Sequence, residues 1–138
     1  MRSNTPRRLD AVLVVAVVAT VLAYGGFVQR IMDTGVDERA ITYLVVGWIP
    51  FGVVAYAIGR RVSPPETAPS MRPIDLGAFL AIVSVLVSLG FDLLGFSPSA
   101  VPLGHALQAL GVFVGIALFS WGLGRRSAVL DRLGSDHP

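Results

Sequence analysis

The sequence predicts an all-α integral membrane protein with four transmembrane helices in an up-down bundle. Two observations lead to this prediction: 54% of the 138 residues are hydrophobic while only 14% are charged, and the apolar residues fall into four long blocks. The mean hydropathy of +0.70 is too high for an ordinary soluble domain. About 20 helical residues cross a hydrocarbon core of about 30 Å, which is close to the length of each block.

The four predicted spans lie at about residues 11–28, 41–59, 74–96 and 103–123. The second and fourth have the length of a membrane crossing, and the first reaches it when Gln29 lies in the interface. The third is long enough only when it continues past Asp92. No span shows the polar face of a soluble amphipathic helix, and blocks of this length do not suit barrel strands. Residues 1–138 are therefore predicted to form one transmembrane domain.

The placement of arginine predicts the orientation of these spans. All eleven basic residues are Arg, and nine of them lie in the N-terminal segment, the middle linker or the C-terminal tail. Because short Arg-rich segments stay in the cytoplasm, both termini are expected on the cytoplasmic side of the cell membrane. The residues that determine this topology are Arg7, Arg8, Arg60, Arg61, Arg125 and Arg126. In the alternative interpretation, the first block is a secretory signal cleaved near Ala23, which would leave three spans.

The two halves of the chain resemble each other at an offset of 65 residues. Residues 7–61 align with residues 72–126 without a gap, and nine of the 55 aligned pairs are identical. The identities include the Arg and Asp of an Arg-x-(Leu/Ile)-Asp entry pattern and a closing Gly-Arg-Arg, which positive-inside placement explains only in part. The alignment predicts two tandem helical hairpins. Each would start and end in the cytoplasm, so the repeat is parallel, unlike the inverted repeats of many transporters.

Two segments that flank the second hairpin are expected in the cytoplasm. The linker 62–73 contains four prolines, which favour an extended spacer; a proline-binding partner is the alternative. The prolines are Pro64, Pro65, Pro69 and Pro73. The tail 127–133 places Leu130 and Leu133 on one side, so it is expected to extend the fourth helix along the interface, near anionic headgroups. A docking helix for a partner is the alternative role of this tail.

Five polar residues form the candidate polar or ion site, namely Asp92, His105, Gln108, Ser84 and Ser88. Asp92 lies about one turn from the outer end of the third span, and an acidic group within a membrane is by default a functional candidate. His105 and Gln108 begin the next span, so His105 could meet Asp92 near the outer surface as part of a proton or cation site. In the competing interpretation, these groups simply lie in the headgroup layer.

Small residues recur on one face of each span at intervals of three or four. The fourth span carries Gly111 and Gly115 in a Gly-x-x-x-Gly pattern, and the third carries Gly77, Ala81 and Ser84 on one face. Helices in lipid associate by close packing at such positions. A tight bundle is therefore expected, in which Gly111 and Gly115 pack within the chain rather than across a dimer.

The composition argues against several classes of chemistry. The chain has no Cys, which excludes disulfides, thiolate metal sites and cysteine nucleophiles, and it has only two His. No spacing matches a metal site, a haem pair, a phosphate-binding loop or a nucleophile–base pair. We therefore predict no catalytic residue, no metal and no cofactor, and do not expect an enzyme. Topology explains the arginines, so nucleic acid is not an expected partner.

The leading functional prediction is a non-catalytic accessory, assembly or scaffold subunit that acts through helix–helix contacts. It rests on abundant small-residue packing surface beside very little buried polar chemistry. Expected partners are membrane lipids, with anionic headgroups at the Arg-rich side, and a membrane protein or a second copy of the chain. The alternative is a small ion, proton or solute transporter or channel that uses Asp92, His105 and Gln108. Four spans alone do not choose between these functions.

Overall fold

The computed structural model describes residues 5–63 and 69–135, and four helices make up nearly all of that part of the chain. They are α1 (Thr5–Thr34), α2 (Glu38–Arg61), α3 (Arg72–Leu93) and α4 (Pro102–Ser135). All four are long and apolar enough to cross a membrane, and the described ranges contain no strand. The predicted all-α fold with four helices of membrane-spanning length is confirmed. Pro64, Pro65 and the side chain of Arg7 lie outside the described part.

A tight turn joins α1 to α2. Gly35 has a φ of 77°, a left-handed conformation that glycine adopts without strain, and its N–H donates to the carbonyl of Ile31 at 2.9 Å. Asp37 then caps α2, because its Oδ1 accepts the N–H of Ala40 at 2.8 Å. Since only residues 35–37 separate the two helices, α2 folds back along α1 as a hairpin.

The third helix ends at Leu93, before the limit of its predicted span at Phe96. Gly95 has a φ of 74°, and its N–H donates to the carbonyl of Asp92 at 3.1 Å. The N–H of Phe96 donates to the carbonyl of Phe91 at 2.9 Å, which completes a Schellman ending. The rings of Phe91 and Phe96 add the apolar contact typical of this motif, with centroids 6.3 Å apart. The left-handed glycine turns the chain away and shortens the helix.

The helices lie side by side in the order α1–α2–α4–α3. Backbone contacts join α1 to α2, α2 to α4 and α4 to α3. The two central helices are parallel, since Gly52 lies beside Ser120 and Gly124 lies beside Arg60. Each outer helix is antiparallel to the central helix that it contacts. This arrangement is compatible with the predicted up-down order.

Small residues, rather than large buried side chains, form the helix interfaces. Val112 is the largest fully buried side chain in the described ranges, and most of the buried apolar residues are alanines. A Cβ at Gly115 would lie 2.5 Å from the backbone nitrogen of Ala81, and one at Gly59 would collide with the carbonyl of Trp121. Only glycine permits helices to approach this closely, which is how helices pack in lipid.

Candidate functional site

Polar side chains concentrate at the two ends of the bundle. The loop end carries the turns 35–37 and 94–101, and it includes Asp92 and His105 of the predicted ion site. The Arg-rich end carries Arg60 and Arg61 at the end of α2 and the corresponding pair in α4. Side chains at the loop end hold the two turns, whereas those at the Arg-rich end join helices that are distant in sequence.

At the loop end, His105 holds the α3–α4 turn and makes no ion pair with Asp92. Its Nε2 lies 2.9 Å from the carbonyl oxygen of Phe96, and its ring centroid lies 5.1 Å from that of Phe91. A carbonyl oxygen only accepts, so Nε2 carries the proton in this contact. Asp92 is exposed in the last turn of α3, and no described residue forms a salt bridge with it.

The other members of the predicted ion site lie further along α3 and α4. Ser84 is only 7% exposed and faces Gly111, while Ser88 and Gln108 are half-buried. Within the described ranges, no hydrogen bond or ion pair links any two of the five residues. Ser84 thus serves the α3–α4 interface and His105 serves the turn, and the ion site stays a prediction.

The α1–α2 turn is held by an ion pair that the sequence analysis did not identify. Arg30 Nε and Nη2 both donate to Asp37 Oδ2, at 2.9 and 2.7 Å, while Asp37 Oδ1 caps α2. The Arg30 guanidinium and then the Ala40 N–H hold the pKa of the Asp37 carboxyl below its ordinary value. The available signal was an opposite-charge pair that flanks the turn glycine Gly35.

Arg60 is the centre of an interhelical group at the Arg-rich end, which we call the Arg60 cluster (Tyr56, Arg60, Ser127 and Asp131). Its Nη1 donates to Ser127 Oγ at 3.2 Å and to the Tyr56 hydroxyl at 3.3 Å, and its Nη2 donates to Asp131 Oδ2 at 2.5 Å. The two hydroxyls are 2.9 Å apart. The Arg60 side chain is only 21% exposed, so α4 replaces most of its water. The cluster joins the end of α2 to the extension of α4.

The second arginine of each Gly-Arg-Arg sequence contacts the other helix of its own hairpin. Arg61 of α2 forms a salt bridge with Asp10 of α1. Arg126 of α4 donates from Nη1 to the sulfur of Met71, the residue before α3, at 2.9 Å. These arginines therefore connect helices as well as providing the positive charge from which the topology was predicted.

The C-terminal tail is a continuous extension of α4 and not a separate segment. Ala128 in this extension is buried at 7% exposure, whereas Leu133 is 57% exposed. Ser63, just after α2, donates from Oγ to the carbonyl of Arg125 at 3.2 Å. The Arg125 guanidinium lies 4.7 Å from the ring centroid of Trp121, in a cation–π contact. The first half of the extension is thus packed against the end of α2.

Sequence reasoning missed the Arg60 cluster because it assigned each member a separate role. The sequence predicts a topological role for Arg60 and an interfacial extension for the tail, and it indicates no contact between them. One signal was available, since Ser127 and Asp131 are four residues apart and share a helix face. Only the tertiary structure shows that α2 and α4 are adjacent and that Arg60 lies level with Ser127 and Asp131.

Aromatic side chains fill the space between α1, α2 and α4 near the middle of the bundle. Phe113 of α4 contacts Tyr24 and Phe51, with ring centroids 5.4 and 5.3 Å apart. Trp48 of α2 precedes Phe113 by 65 residues, and together with Ile116 it lines the space beside α3. The Tyr24 hydroxyl and the Trp48 N–H are buried and make no hydrogen bond to any residue that the structure describes. Phe113 of the second hairpin therefore packs on the first hairpin, and Trp48 of the first hairpin faces the second.

Within the described ranges, no three side chains of the His, Cys, Asp and Glu types come together in a way that could hold a metal ion. Comparison with protein-family models, with curated proteins and with solved structures finds no match for this chain. The polar contacts described above all hold helices and turns in place. The remaining candidates for a functional site are therefore the surfaces that these helices present to the membrane.

Proposed function

We propose that this protein is a non-catalytic accessory, assembly or scaffold subunit that binds a membrane-protein partner through α1. The observation that supports this function is the unequal packing of the helices. In the most apolar window of α1 only 6% of the residues are buried within the chain, against 17% for α3 and for α4. Among the described residues, α1 makes backbone contact with α2 alone, and the Tyr24 ring reaches Phe113 of α4. A helix bound on one side leaves the rest of its surface for another protein.

The surface of α1 is suited to helix–helix contact. It alternates valine with small residues, and Val14, Val18 and Val21 are 62%, 52% and 64% exposed on the side away from α2. In lipid, exposure of apolar side chains is not by itself unfavourable, so partner binding would depend on close packing. β-branched side chains are already confined almost to one rotamer in a helix, so they lose little further freedom when they pack against a partner.

For the topology, we propose a location in the cell membrane with both termini in the cytoplasm. The arginine distribution supports this orientation. Because the chain has no Cys, single cysteines introduced by Thr34→Cys and Ser70→Cys report on it directly. Thr34 lies at the loop end and Ser70 lies in the linker. The Thr34→Cys variant should react with an impermeant reagent from outside, and the Ser70→Cys variant only from inside. Reaction of the latter from outside would overturn the orientation.

We also propose that the two hairpins arose by duplication of one hairpin. Two contacts between the central helices support this, because they are related by the 65-residue offset. Gly59 faces the backbone of Trp121, and Gly124 faces the backbone of Tyr56. Residues 59 and 56 correspond to residues 124 and 121 in the alignment. Exchange of equivalent contacts is what a two-fold axis along the membrane normal would produce between hairpins of parallel topology.

The test of partner binding uses a photo-crosslinking amino acid at one of two matched positions. Val21 of α1 and Leu86 of α3 are equivalent in the repeat and are 64% and 59% exposed. We expect the Val21 position to give a discrete crosslink to another membrane protein in cells, and the Leu86 position to give none. Purification in mild detergent followed by native mass spectrometry should then show that protein in a fixed stoichiometry. A lone monomer or homodimer without a heterologous crosslink would contradict the proposal.

A further inference from the structure

The side of the first hairpin carries an apolar groove between α1 and α2. Its volume is about 570 Å³, and its walls include Val12, Val15 and Ala19 of α1 with Val46 and Pro50 of α2. Sites for small molecules typically have volumes of about 300–1,000 Å³, so the groove is large enough for a ligand. Val12 and Val15 are 50% and 68% exposed, which shows that the groove is open along its side.

The groove exists because the first hairpin lacks the interface glycines of the second. Three residues that line the groove align with glycines of the second hairpin at the 65-residue offset. Val12 aligns with Gly77, Val46 with Gly111 and Pro50 with Gly115. Gly77 and Gly115 let the backbones of α3 and α4 touch, and Gly111 leaves room for the Ser84 side chain. Two branched side chains and a proline ring prevent the same approach of α1 and α2. The space that is closed in one hairpin is therefore open in the other.

The groove has the length of one leaflet and a positive charge at one end. It extends along α1 from Ala11 to Ala23, about 18 Å of helix, against about 15 Å for half of a hydrocarbon core. Arg8 precedes Val12 by four residues, so it lies on the same face of α1, one turn beyond the groove. Within the described ranges no carboxylate pairs with Arg8, whereas nearby Asp10 is neutralised by Arg61.

We propose that this groove binds one acyl chain of an anionic phospholipid, whose phosphate contacts Arg8. Lipid tails are as apolar as the groove, so burial alone does not favour a bound chain over bulk lipid. The shape of the groove and the contact between Arg8 and the headgroup must then select the bound lipid. The long Arg8 side chain reaches towards the headgroup layer, where a guanidinium pairs well with a phosphate. This site goes beyond the proposed partner binding, because Val14, Val18 and Val21 of the partner surface do not line the groove.

The test measures which lipid stays bound when the protein is extracted from vesicles of equal phosphatidylglycerol and phosphatidylcholine. Native mass spectrometry counts and identifies the retained lipid. One basic residue near a membrane surface corresponds to a preference of about fivefold, so wild type should retain one phosphatidylglycerol over phosphatidylcholine by that factor. Arg8→Gln should reduce the preference nearly to parity. Arg39→Gln, an exposed arginine at the loop end, is the matched control and should leave it unchanged.

A second pair of variants tests the groove itself. Ala19→Phe places a ring in the groove and should abolish retention of either lipid. The control Val87→Phe adds the same side chain on α3, at a position that is 41% exposed and outside the groove. Val87→Phe should behave as wild type. Equal lipid retention by these two variants would overturn the proposal, as would an Arg8→Gln variant with unchanged headgroup preference. If wild type instead retains a second protein chain, and the Ala19→Phe variant loses it, the groove binds a protein and the lipid proposal is overturned.

Discussion

Replacement of Gly115 by Ala tests whether close backbone contact holds α3 against α4. The added Cβ would lie 2.5 Å from the Ala81 nitrogen and 2.8 Å from both the Ala81 Cβ and the Gly77 carbonyl oxygen. Optimal contacts between carbon atoms are about 3.5–4.0 Å, so the helices would have to separate by about 1 Å. None of these three atoms is the end of a flexible side chain. The backbone of a helix must therefore take up the shift.

Two opposing free energies set the expected size of this effect. Alanine is preferred over glycine in a helix by about 1 kcal/mol, which favours the variant. Overpacking of a close interface costs about 1–3 kcal/mol, and three short contacts place Gly115→Ala at the upper end of that range. We therefore expect a net loss of about 1–2 kcal/mol. Gly90→Ala is the matched control, because a Cβ there meets nothing within 4 Å and leaves only the favourable helix preference.

The assay is the free energy of unfolding in bicelles, measured by steric trapping for wild type and for the two variants. Gly115→Ala should be less stable than wild type, and Gly90→Ala equally stable or more stable. Helix preference acts alike at both positions, so the difference between the variants isolates the contact with α3. Equal free energies of unfolding for the two variants would refute the reasoning about glycine contacts.

Three further predictions concern polar groups. The pKa of Asp37 is depressed in the folded state. The charge of its carboxylate therefore stabilises the α1–α2 turn fully at pH values above the ordinary pKa of 3.8, and this stabilisation is lost as the pH falls through the lower pKa of the folded state. The protection factor of the turn amides, which corrects hydrogen exchange for its intrinsic pH dependence, should therefore fall in acid, and Asp37→Asn should abolish that fall. Arg60→Met should lower the thermal stability more than Asp131→Asn, because the latter removes only a partly exposed ion pair worth at most about 1 kcal/mol. Equal losses would contradict the Arg60 cluster. Asp92→Asn should leave vesicle ion flux and growth unchanged; a loss of flux would support the transporter alternative instead.

Much of the fold follows from the order of amino acids along the chain. Four apolar blocks separated by polar turns require four helices, because a backbone in lipid must satisfy its own hydrogen bonds. The stop signals were also local: Gly35 and Gly95 adopt the left-handed conformation that ends a helix. The end of α3 was nevertheless predicted beyond Leu93, since the apolar residues Leu94 and Phe96 continue the block without continuing the helix.

The candidate sites depended on information that the sequence pattern does not contain. Asp92 and His105 lie on either side of one turn, yet the direction of the His105 ring is set by the Schellman ending, which presents the Phe96 carbonyl to it. In the Arg60 cluster, Arg60 is separated from its α4 partners by 67 and 71 positions, so their shared helix face does not reveal the contact with Arg60. Its formation requires α2 and α4 to be adjacent and parallel.

The sequence by itself determined the membrane character, the number of helices and the two ends of the bundle, because hydropathy and charge act residue by residue. The tertiary structure decided which helices are neighbours and which surfaces remain free. The order α1–α2–α4–α3 results from short-range contact at glycines such as Gly59, Gly115 and Gly124, where one added methyl group would prevent approach. The same sensitivity to side-chain volume leaves a groove where Val12, Val46 and Pro50 replace glycine, and it leaves α1 largely uncovered.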